Sequence, residues 1–359
     1  MSKIVSIGTA LPAYRHRQGD ILRFMQHAYC FDEAERRKLA FLYRQCGIEF
    51  RYSVIPDYSL PAGQWQFFPA SENLEPFPGL EERMQKFQQA AAPISLQAIR
   101  NCLGKFSAEK ITHLIVVSCT GMSAPGLDLE LLDLLQLPSH TCRIAVNFMG
   151  CYAVIQALRI ADAFCTSDPG ANVLIVSTEL CTLHFQKEPT QDNMTSSLLF
   201  GDGSAAVLVT GNENADGLKL EHFHSAVDEK GKKDMAWELS SRGFLMTLSG
   251  FVPDLIEQDF GKLVDDALCG ADVPRGKITH WCIHPGGKKV LEAVHNSLGF
   301  QDGQLQYSYE VLRDYGNLSS ATILFVLKKI LDEPSREKRV FAAAFGPGLT
   351  METFVAAGN

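Results

Sequence analysis

The 359-residue sequence lacks the features of several specialised classes of protein. It has no basic excess, since 33 Lys and Arg stand against 41 Asp and Glu and give a net charge of −8. General nucleic-acid binding needs a basic face, so this charge argues against it. No apolar run is long enough to span a bilayer. The start of the chain is soon interrupted by Pro12, Arg15 and Arg17, which does not fit a secretory signal peptide, and we expect a cytoplasmic protein.

The ten cysteines form no C-x-x-C pair and show no metal-ligand spacing. A chain of this size does not need disulfides to hold its core together, so we interpret them as reduced thiols and expect no metal site. Hydrophobic residues make up 46% of the chain and charged residues 21%, which is the balance of a globular protein. The length exceeds one simple core, which favours two domains or one duplicated layered domain.

Residues 147–161 contain the most informative stretch of the sequence. An apolar lead-in ends at Gly150, and a pattern of small and apolar residues typical of a buried helix follows at once. Cys151 should therefore lie at the turn where a helix starts. Free N–H groups, the helix dipole and a nearby histidine can lower a cysteine pKa well below about 8.5. The alternative is a buried structural cysteine, the commoner role of a free Cys in an apolar run.

A strand–turn–helix–strand pattern occurs twice in the chain. The first copy comprises residues 113–118, 150–161 and 172–176, and the second comprises 280–284, 316–330 and 339–343. Similar spacing in both copies indicates an internal duplication into two layered α/β halves, with equivalent helices meeting at the centre. A polar stretch between the copies places the boundary so that one half spans 1–214 and the other 215–359.

The duplication brings three reactive side chains to corresponding positions. Cys151 and Asn317 should lie on equivalent turns that face one another, with His284 at the end of the strand between them. A thiolate can attack a thioester, an imidazole can hold it as an ion pair, and both imidazole and carboxamide can donate to a developing oxyanion. No carboxylate is needed if a carbanion forms by loss of CO2. The structural alternatives are a strand cap for His284 and a turn residue or helix N-cap for Asn317.

Five short segments occur in an order that carries a family resemblance. They are Gly-Cys-Tyr-Ala at 150–153, Leu-Phe-Gly-Asp-Gly at 199–203, Ile-His-Pro-Gly-Gly at 283–287, Tyr-Gly-Asn-Leu-Ser-Ser-Ala at 315–321 and Phe-Gly-Pro-Gly-Leu-Thr at 345–350. This set resembles the type III polyketide synthases, the chalcone and stilbene synthase-like enzymes of the thiolase superfamily. The resemblance implies a homodimer with a duplicated thiolase-like αβαβα fold of five layers.

The resemblance also implies an activity. An acyl starter would load from acyl-CoA onto Cys151, and malonyl-CoA would extend it by decarboxylative condensation while His284 and Asn317 hold the thioester carbonyl. CoA thioesters would be the substrates, without a tightly bound cofactor. Departures from the plant enzymes favour a resorcinol, phloroglucinol or pyrone product over a chalcone.

Further positions are assigned by the resemblance alone. Phe200 falls at a gatekeeper between the CoA tunnel and the elongation cavity, and the second gatekeeper falls on Met246 in place of phenylalanine. The other implied cavity residues are Thr120, Cys181, His184, Trp237, Ser319, Gly346, Pro347 and Gly348, and Trp237 would reduce the cavity volume if it points inward. The implied CoA-binding residues are Lys38, Arg44, Gly286 and Gly287, with Arg44 compensating for non-basic residues at Phe41 and Gln45.

Other interpretations are open at this level. A papain-like cysteine protease also uses Cys, His and Asn in this order, although neither a secretory signal nor a pro-segment is evident. A single-condensation ketoacyl synthase shares the chemistry, while Phe200 and residues 345–348 favour the polyketide branch. A non-catalytic scaffold would have no reason to keep three reactive groups on matching turns.

Overall fold

The computed structural model describes residues 2–71, 73–334 and 337–358. The strands of these residues are β1 (Lys3–Ala10), β2 (Tyr14–Arg17), β3 (Phe50–Ser53), β4 (His113–Ser118), β5 (Cys142–Asn147), β6 (Asn172–Leu180), β7 (Asp202–Thr210), β8 (Leu218–Val227), β9 (Met235–Ser240), β10 (Gly243–Leu248), β11 (His280–Ile283), β12 (Lys338–Gly346) and β13 (Thr350–Gly358). The helices are α1 (Gln18–Ala28), α2 (Glu33–Gln45), α3 (Leu80–Leu103), α4 (Leu127–Leu134), α5 (Ala153–Ser167), α6 (Gln191–Leu199), α7 (Val252–Gly270), α8 (Lys288–Leu298), α9 (Gln306–Tyr315) and α10 (Thr322–Asp332). In the described part of the chain, no helix is both long and apolar enough to cross a membrane.

The strand order shows the internal duplication directly. Nine strands are ordered β11-β12-β13-β8-β1-β7-β6-β4-β5. Reading outward from the middle, β1-β7-β6-β4 has two antiparallel pairings and then a parallel one, and β8-β13-β12-β11 repeats that sequence of pairings. Among the described residues, the strands β1 and β8 that join the two halves pair Lys3 with Lys219 and Ile4 with Leu218. The duplication predicted from the sequence is confirmed.

The helices complete five layers around the two halves of the sheet. Helix α5 packs against β6, β7 and β13, and α10 packs against β1, β7 and β11, so both lie between the two halves. Their side chains share one apolar core with strands of both halves. Helix α3 covers the outer face of the first half, and α7 lies on β8 and β13 and against α8 on the outer face of the second. Helix α5 is rich in small apolar residues because it is buried against strands on both sides.

Two helical regions have local features that shape them. Residues 18–45 form two helices, α1 and α2, with a break between them. Helix α2 begins after Asp32, which forms a capping box with Glu35. The carboxylate of Asp32 accepts from the N–H of Glu35, and the carboxylate of Glu35 accepts from the N–H of Asp32. Pro93 does not interrupt α3, which runs through it. Packing of α3 along β1, β6 and β7 offsets a proline cost of about 3 kcal/mol.

Candidate active site

Cys151 lies in a turn that is shaped by glycine. Strand β5 ends at Asn147, Gly150 has a φ of +83°, and α5 begins at Ala153, so the predicted turn before a buried helix is confirmed. A Cβ at Gly150 would lie 2.1 Å from Cδ of Pro347, so this turn and the 346–348 loop fit together only with glycine there.

The Cys151 thiol lies in an apolar environment. Its Sγ donates to Oγ of Ser319 at 3.8 Å. Burial raises the pKa of Cys151 to about 12, although the side chains of Ser319 and Asn317 act in the opposite direction. The prediction of a lowered cysteine pKa is therefore wrong for this structure. The reason is that the loss of hydration on burial of the sulfur outweighs the hydrogen bonds from Ser319 and Asn317.

His284 follows the last residue of β11 and is fully buried. Its backbone N–H donates to the carbonyl of Ala343 at 2.9 Å, which continues the pairing of β11 with β12. Neither ring nitrogen has a hydrogen-bond partner among the described residues. Burial lowers the pKa of His284 to about 3, so the ring is neutral and the thiolate–imidazolium pair predicted from the sequence is not formed. A buried polar group without a partner costs about 1–3 kcal/mol, and such groups concentrate where function needs them.

The carboxamide of Asn317 is oriented by its neighbours. Its Oδ1 accepts from the N–H of Ser319 at 2.8 Å and from the hydroxyl of Thr322 at 3.3 Å. Its Nδ2 donates to the carbonyl of Gly286 at 3.4 Å, which is two residues beyond His284. With both acceptor positions of Oδ1 used, the amide presents a second N–H that these contacts leave available.

The backbone around Asn317 is held by hydrogen bonds to the segment at residues 199–201. Its N–H donates to the carbonyl of Leu199 at 2.9 Å, and its carbonyl accepts from the N–H of Gly201 at 2.9 Å. A Cβ at Gly201 would lie 2.8 Å from the carbonyl oxygen of Tyr315. Glycine at position 201 therefore permits this close approach, and the next residue, Asp202, is the first of β7.

The three reactive side chains line one cavity of about 940 Å³. Most other predicted site residues line it too, namely Lys38, Thr120, Cys181, His184, Phe200, Trp237, Met246, Gly286, Gly287, Ser319 and Pro347. Gly346 and Gly348 do not. A Cβ at Gly346 would lie 2.6 Å from Cδ1 of Tyr152, and Gly348 has a φ of +75°, so these glycines allow the loop to carry Pro347 to the cavity wall.

Arg44 is not brought to this cavity. Six residues of helix α2 line it, namely Glu35, Lys38, Leu39, Phe41, Leu42 and Gln45. At 100° per residue, Arg44 lies about 140° from the middle of this face and projects away from the cavity. Its predicted compensating contact with CoA is not supported by this placement.

An aromatic wall, formed by His184, Trp237 and Phe244, bounds one side of the cavity. His184 and Phe244 stack with centroids 4.3 Å apart, and Trp237 meets both rings edge-on. Nε2 of His184 donates to the carbonyl of Thr120 at 2.8 Å, and Nδ1 accepts from the N–H of Phe244 at 3.1 Å. Nε1 of Trp237 donates to the carbonyl of Cys119 at 2.7 Å, so the indole points into the cavity. The wall is therefore rigid, and its polar atoms are already used.

Replacing His184 by Asn tests this assignment through the pH dependence of stability. Burial lowers the pKa of His184 from 6.5 to about 3. Below pH 6.5 the unfolded chain binds a proton that the folded chain does not, so stability is lost as the pH falls towards 3. We expect the stability advantage of wild type over His184→Asn to shrink by about 2 kcal/mol between pH 7 and pH 5. Urea unfolding of both proteins at each pH measures this, and other titrating groups cancel in the difference. An advantage that is constant with pH would contradict a buried neutral imidazole.

Glu179 is a residue of the site that was not predicted from the sequence. It is fully buried near the end of β6, where its carboxylate accepts from the N–H of Cys119 at 3.0 Å, from the hydroxyl of Thr120 at 2.8 Å and from the hydroxyl of Ser320. These bonds tie together three segments around Cys151. Burial raises its pKa. The sequence feature that could have identified Glu179 is a single acidic residue within an apolar strand.

Two lysines at the cavity mouth were missed as well. Lys288 and Lys289 begin α8 and line the cavity together with Lys38. The stem of Lys288 packs near Gly47, which follows α2, so the ends of α2 and α8 meet at the mouth. Positive side chains beside a helix N-terminus favour the binding of phosphate. Within the described ranges, no group of His, Cys, Asp and Glu could hold a metal ion.

Comparison with known proteins gives concordant matches. The family described as chalcone and stilbene synthases matches through its N-terminal domain at residues 1–213 and its C-terminal domain at residues 224–358. A putative chalcone synthase of Bacillus subtilis (strain 168) is 30% identical over 370 residues, covering 98% of this chain and 97% of that protein. A probable polyketide synthase 1 of Dictyostelium discoideum is 28% identical over 98% of this chain, which spans only 11% of its length.

A solved structure shares the whole fold. The C-terminal type III polyketide synthase domain of "Steely1", a type I/III hybrid from Dictyostelium, superposes with a TM-score of 0.91 at 27% identity, over 99% of each chain. The matched ranges of the family include Cys151 in the N-terminal domain and His284 and Asn317 in the C-terminal domain.

Proposed function

Because this chain belongs to the chalcone and stilbene synthase family of type III polyketide synthases, we propose that it loads an acyl starter from acyl-CoA onto Cys151 and extends it with malonyl-CoA. The supporting observation is that Cys151, Asn317 and an unpartnered His284 line one cavity. The nucleophile then belongs to the half at 1–214, and the imidazole and carboxamide belong to the half at 215–359.

Loading transfers the acyl group between two sulfurs. The Cys151 thiol gives its proton to His284, and the sulfur attacks the carbonyl of the starter thioester. The bond from that carbonyl to the CoA sulfur breaks, and CoA leaves as a thiol after taking the proton from His284. Burial keeps His284 neutral before the reaction, so a ring nitrogen is available to accept.

Extension begins with loss of CO2 from malonyl-CoA. The electron pair of the broken C–C bond moves into a thioester enolate, whose oxygen accepts from His284 and from the available N–H of Asn317. The enolate carbon then attacks the acyl carbonyl on Cys151, the new C–C bond forms, and the Cys151 sulfur leaves. The product is a CoA thioester longer by two carbons, which can reload.

The cavity wall supports a small cyclic product. The hydrogen-bonded ring stack of His184, Trp237 and Phe244 reduces the space for chain growth. Phe200 and Met246 line the same cavity as the proposed gatekeepers, and the flexible thioether of Met246 makes that side of the portal softer than phenylalanine would. We propose a resorcinol, phloroglucinol or pyrone as the product.

We further propose a cytoplasmic homodimer. No disulfide joins the ten cysteines, all of which lie in the described part of the chain, as in a reducing compartment. Within the described ranges, strand β5 ends the nine-strand order and has β4 as its one partner strand, while Arg143, Ala145 and Asn147 along it are exposed. An open edge of this kind can pair with a second copy about a two-fold axis. Sedimentation equilibrium gives the mass in solution, and a monomer at micromolar concentration would reject the dimer.

A starter panel tests the proposed activity. We expect the purified chain, given malonyl-CoA and a series of aromatic and fatty acyl-CoA starters, to form products whose masses correspond to two or more extensions. Met246→Phe should narrow the range of accepted starters, because the stiffer ring restricts the portal. A single extension with every starter would instead assign a ketoacyl synthase-like reaction, and no extension at all would reject the proposal.

A further inference from the structure

The segment that carries Asn317 is bound to the end of α6, and a buried arginine holds that end in place. We propose that this arginine, Arg51, is a positioning residue for the release of CO2, because it fixes the end of α6 and thereby places the carboxamide of Asn317. Arg51 acts through Asn317 and not on the substrate. The inference rests on the proposed function, in which that carboxamide donates to the enolate oxygen.

The end of α6 is held by donors from four parts of the chain. A helix has no N–H of its own to donate to its last carbonyls, so other groups must do so where that end is buried. For the carbonyls of residues 197, 198, 199 and 200, the donors are in turn the hydroxyl of Tyr43 at 3.2 Å, Nε2 of Gln18 at 2.9 Å, the backbone N–H of Asn317 at 2.9 Å and Nη1 of Arg51 at 2.7 Å. The bond from Asn317 therefore lies between those from Gln18 and Arg51.

Arg51 and Gln18 are also bonded to each other. Arg51 lies in β3 and is 3% exposed, and its Nε donates to Oε1 of Gln18 at 2.9 Å. One planar guanidinium thus bonds both to the Phe200 carbonyl and to the side chain that holds the Leu198 carbonyl, and a lysine ammonium lacks this fixed pair of donors. The positive charge of Arg51 also suits the carbonyl end of α6, where the helix dipole is negative.

The backbone of Asn317 is attached to this end of α6 on both sides. Besides the bond from its N–H to the Leu199 carbonyl, its own carbonyl accepts from the N–H of Gly201 at 2.9 Å. The stem of Arg51 packs on the preceding residue, since a Cβ at Gly316 would lie 3.0 Å from Cγ of Arg51. Loss of the guanidinium therefore moves the segment from which the amide donates.

Replacing Arg51 by Met should separate the release of CO2 from acyl loading. Methionine fills much of the same space but donates no hydrogen bond, while Cys151 lies on a different turn, before α5. We expect release of CO2 from malonyl-CoA to fall about tenfold or more, since displacement of a reacting group by about 1 Å can cost on the order of 10²-fold. The rate at which Cys151 gains the acyl group of hexanoyl-CoA should change less than about threefold, because Arg51 does not hold its turn. Intact-protein mass spectrometry measures this rate.

The matched control is Arg83→Met. Arg83 is fully buried as well, but it donates to the carbonyls of Pro78 and Leu183, which lie outside the segment at residues 199–201. Its ratio of CO2 release to acyl loading should equal that of wild type.

A double-mutant cycle with Asn317→Asp at pH 8 tests whether Arg51 acts through Asn317. In the Asn317→Asp background, Arg51→Met should lower CO2 release less than about twofold, because the donor that Arg51 places is already gone, whereas independent effects multiply. If Arg51→Met does not fold, Arg51→Lys replaces it in both backgrounds. Arg51→Lys keeps the charge but not the fixed pair of donors, and we expect it to lower CO2 release about threefold when Asn317 is present.

Three results would overturn the inference for either substitution of Arg51. The first is the same fractional loss of CO2 release with and without Asn317→Asp. The second is a loss of acyl loading as large as the loss of CO2 release. The third is CO2 release equal to that of wild type. Absence of CO2 release from the wild-type chain would instead overturn the proposed function.

Discussion

Replacing Cys151 by Ala should abolish product formation while leaving the fold intact. Removal of a nucleophile that acts as part of a catalytic unit costs on the order of 10⁴-fold or more in kcat. The packing loss is small, because the side chain loses only its sulfur and one long contact to Ser319 at 3.8 Å. Product formation from starter and malonyl-CoA measures the first effect, and thermal unfolding by circular dichroism measures the second.

The matched control for this variant is Cys181→Ala. Cys181 is one of the buried cysteines that line the same cavity, and burial raises its pKa well above the usual value. It should retain the acyl adduct seen by intact-protein mass spectrometry, while Cys151→Ala should show none. An adduct that persists on Cys151→Ala and disappears from Cys181→Ala would move the nucleophile to the other sulfur.

The parts of the site that could be predicted from the sequence are those carried by local motifs. The turns at Gly150 and Gly316 can be recognised from a few neighbouring residues. The same is true of the end of the strand before His284. The repeat then places Cys151, His284 and Asn317 in register, because equivalent strands occupy equivalent positions in the two halves. The duplication therefore followed from spacing, whereas the five layers were implied by the family resemblance.

The chemistry of those residues did not follow from spacing. The pKa of Cys151 depends on the apolar groups that surround its sulfur, and these come from segments far apart in the chain. The side of α2 that faces the cavity depends on how α2 packs, so Arg44 could not be excluded before the packing was known. A few neighbouring residues are enough to predict a turn. Desolvation depends on all the groups that surround a side chain in the folded protein, so its effect on a pKa cannot be predicted from those few residues.

The aromatic wall is a similar case. The indole of Trp237 is fixed by the carbonyl of Cys119, which is 118 residues away in the sequence. His184 was expected among the cavity residues, but its two nitrogens are used by Thr120 and Phe244, so it contributes a ring face and not a polar contact. Sequence position indicated which residues reach the cavity. Only the hydrogen-bond network showed which of their atoms remain available to a substrate.

Replacing Asn317 by Asp should separate acyl loading from decarboxylation. The new carboxylate keeps an oxygen for the N–H of Ser319 and the hydroxyl of Thr322, so the turn is retained. It removes the amide donor and puts negative charge where the enolate oxygen develops. Loss of one such donor costs about 10²–10³-fold. Release of CO2 from malonyl-CoA should fall by that factor, while the Cys151 adduct still forms.

The pH dependence of Asn317→Asp distinguishes a lost donor from a damaged fold. A carboxyl group buried at this position is protonated more readily than one in water, and the neutral acid can donate again. The deficit relative to wild type should therefore shrink as the pH falls from 8 to 6, whereas misfolding would give a deficit independent of pH. Asn214→Asp on the exposed loop before β8 controls for the added charge and should release CO2 as wild type does. If Asn317→Asp decarboxylates within about threefold of wild type at pH 8, the carboxamide is not an oxyanion donor, because even a single weak donor contributes more than that.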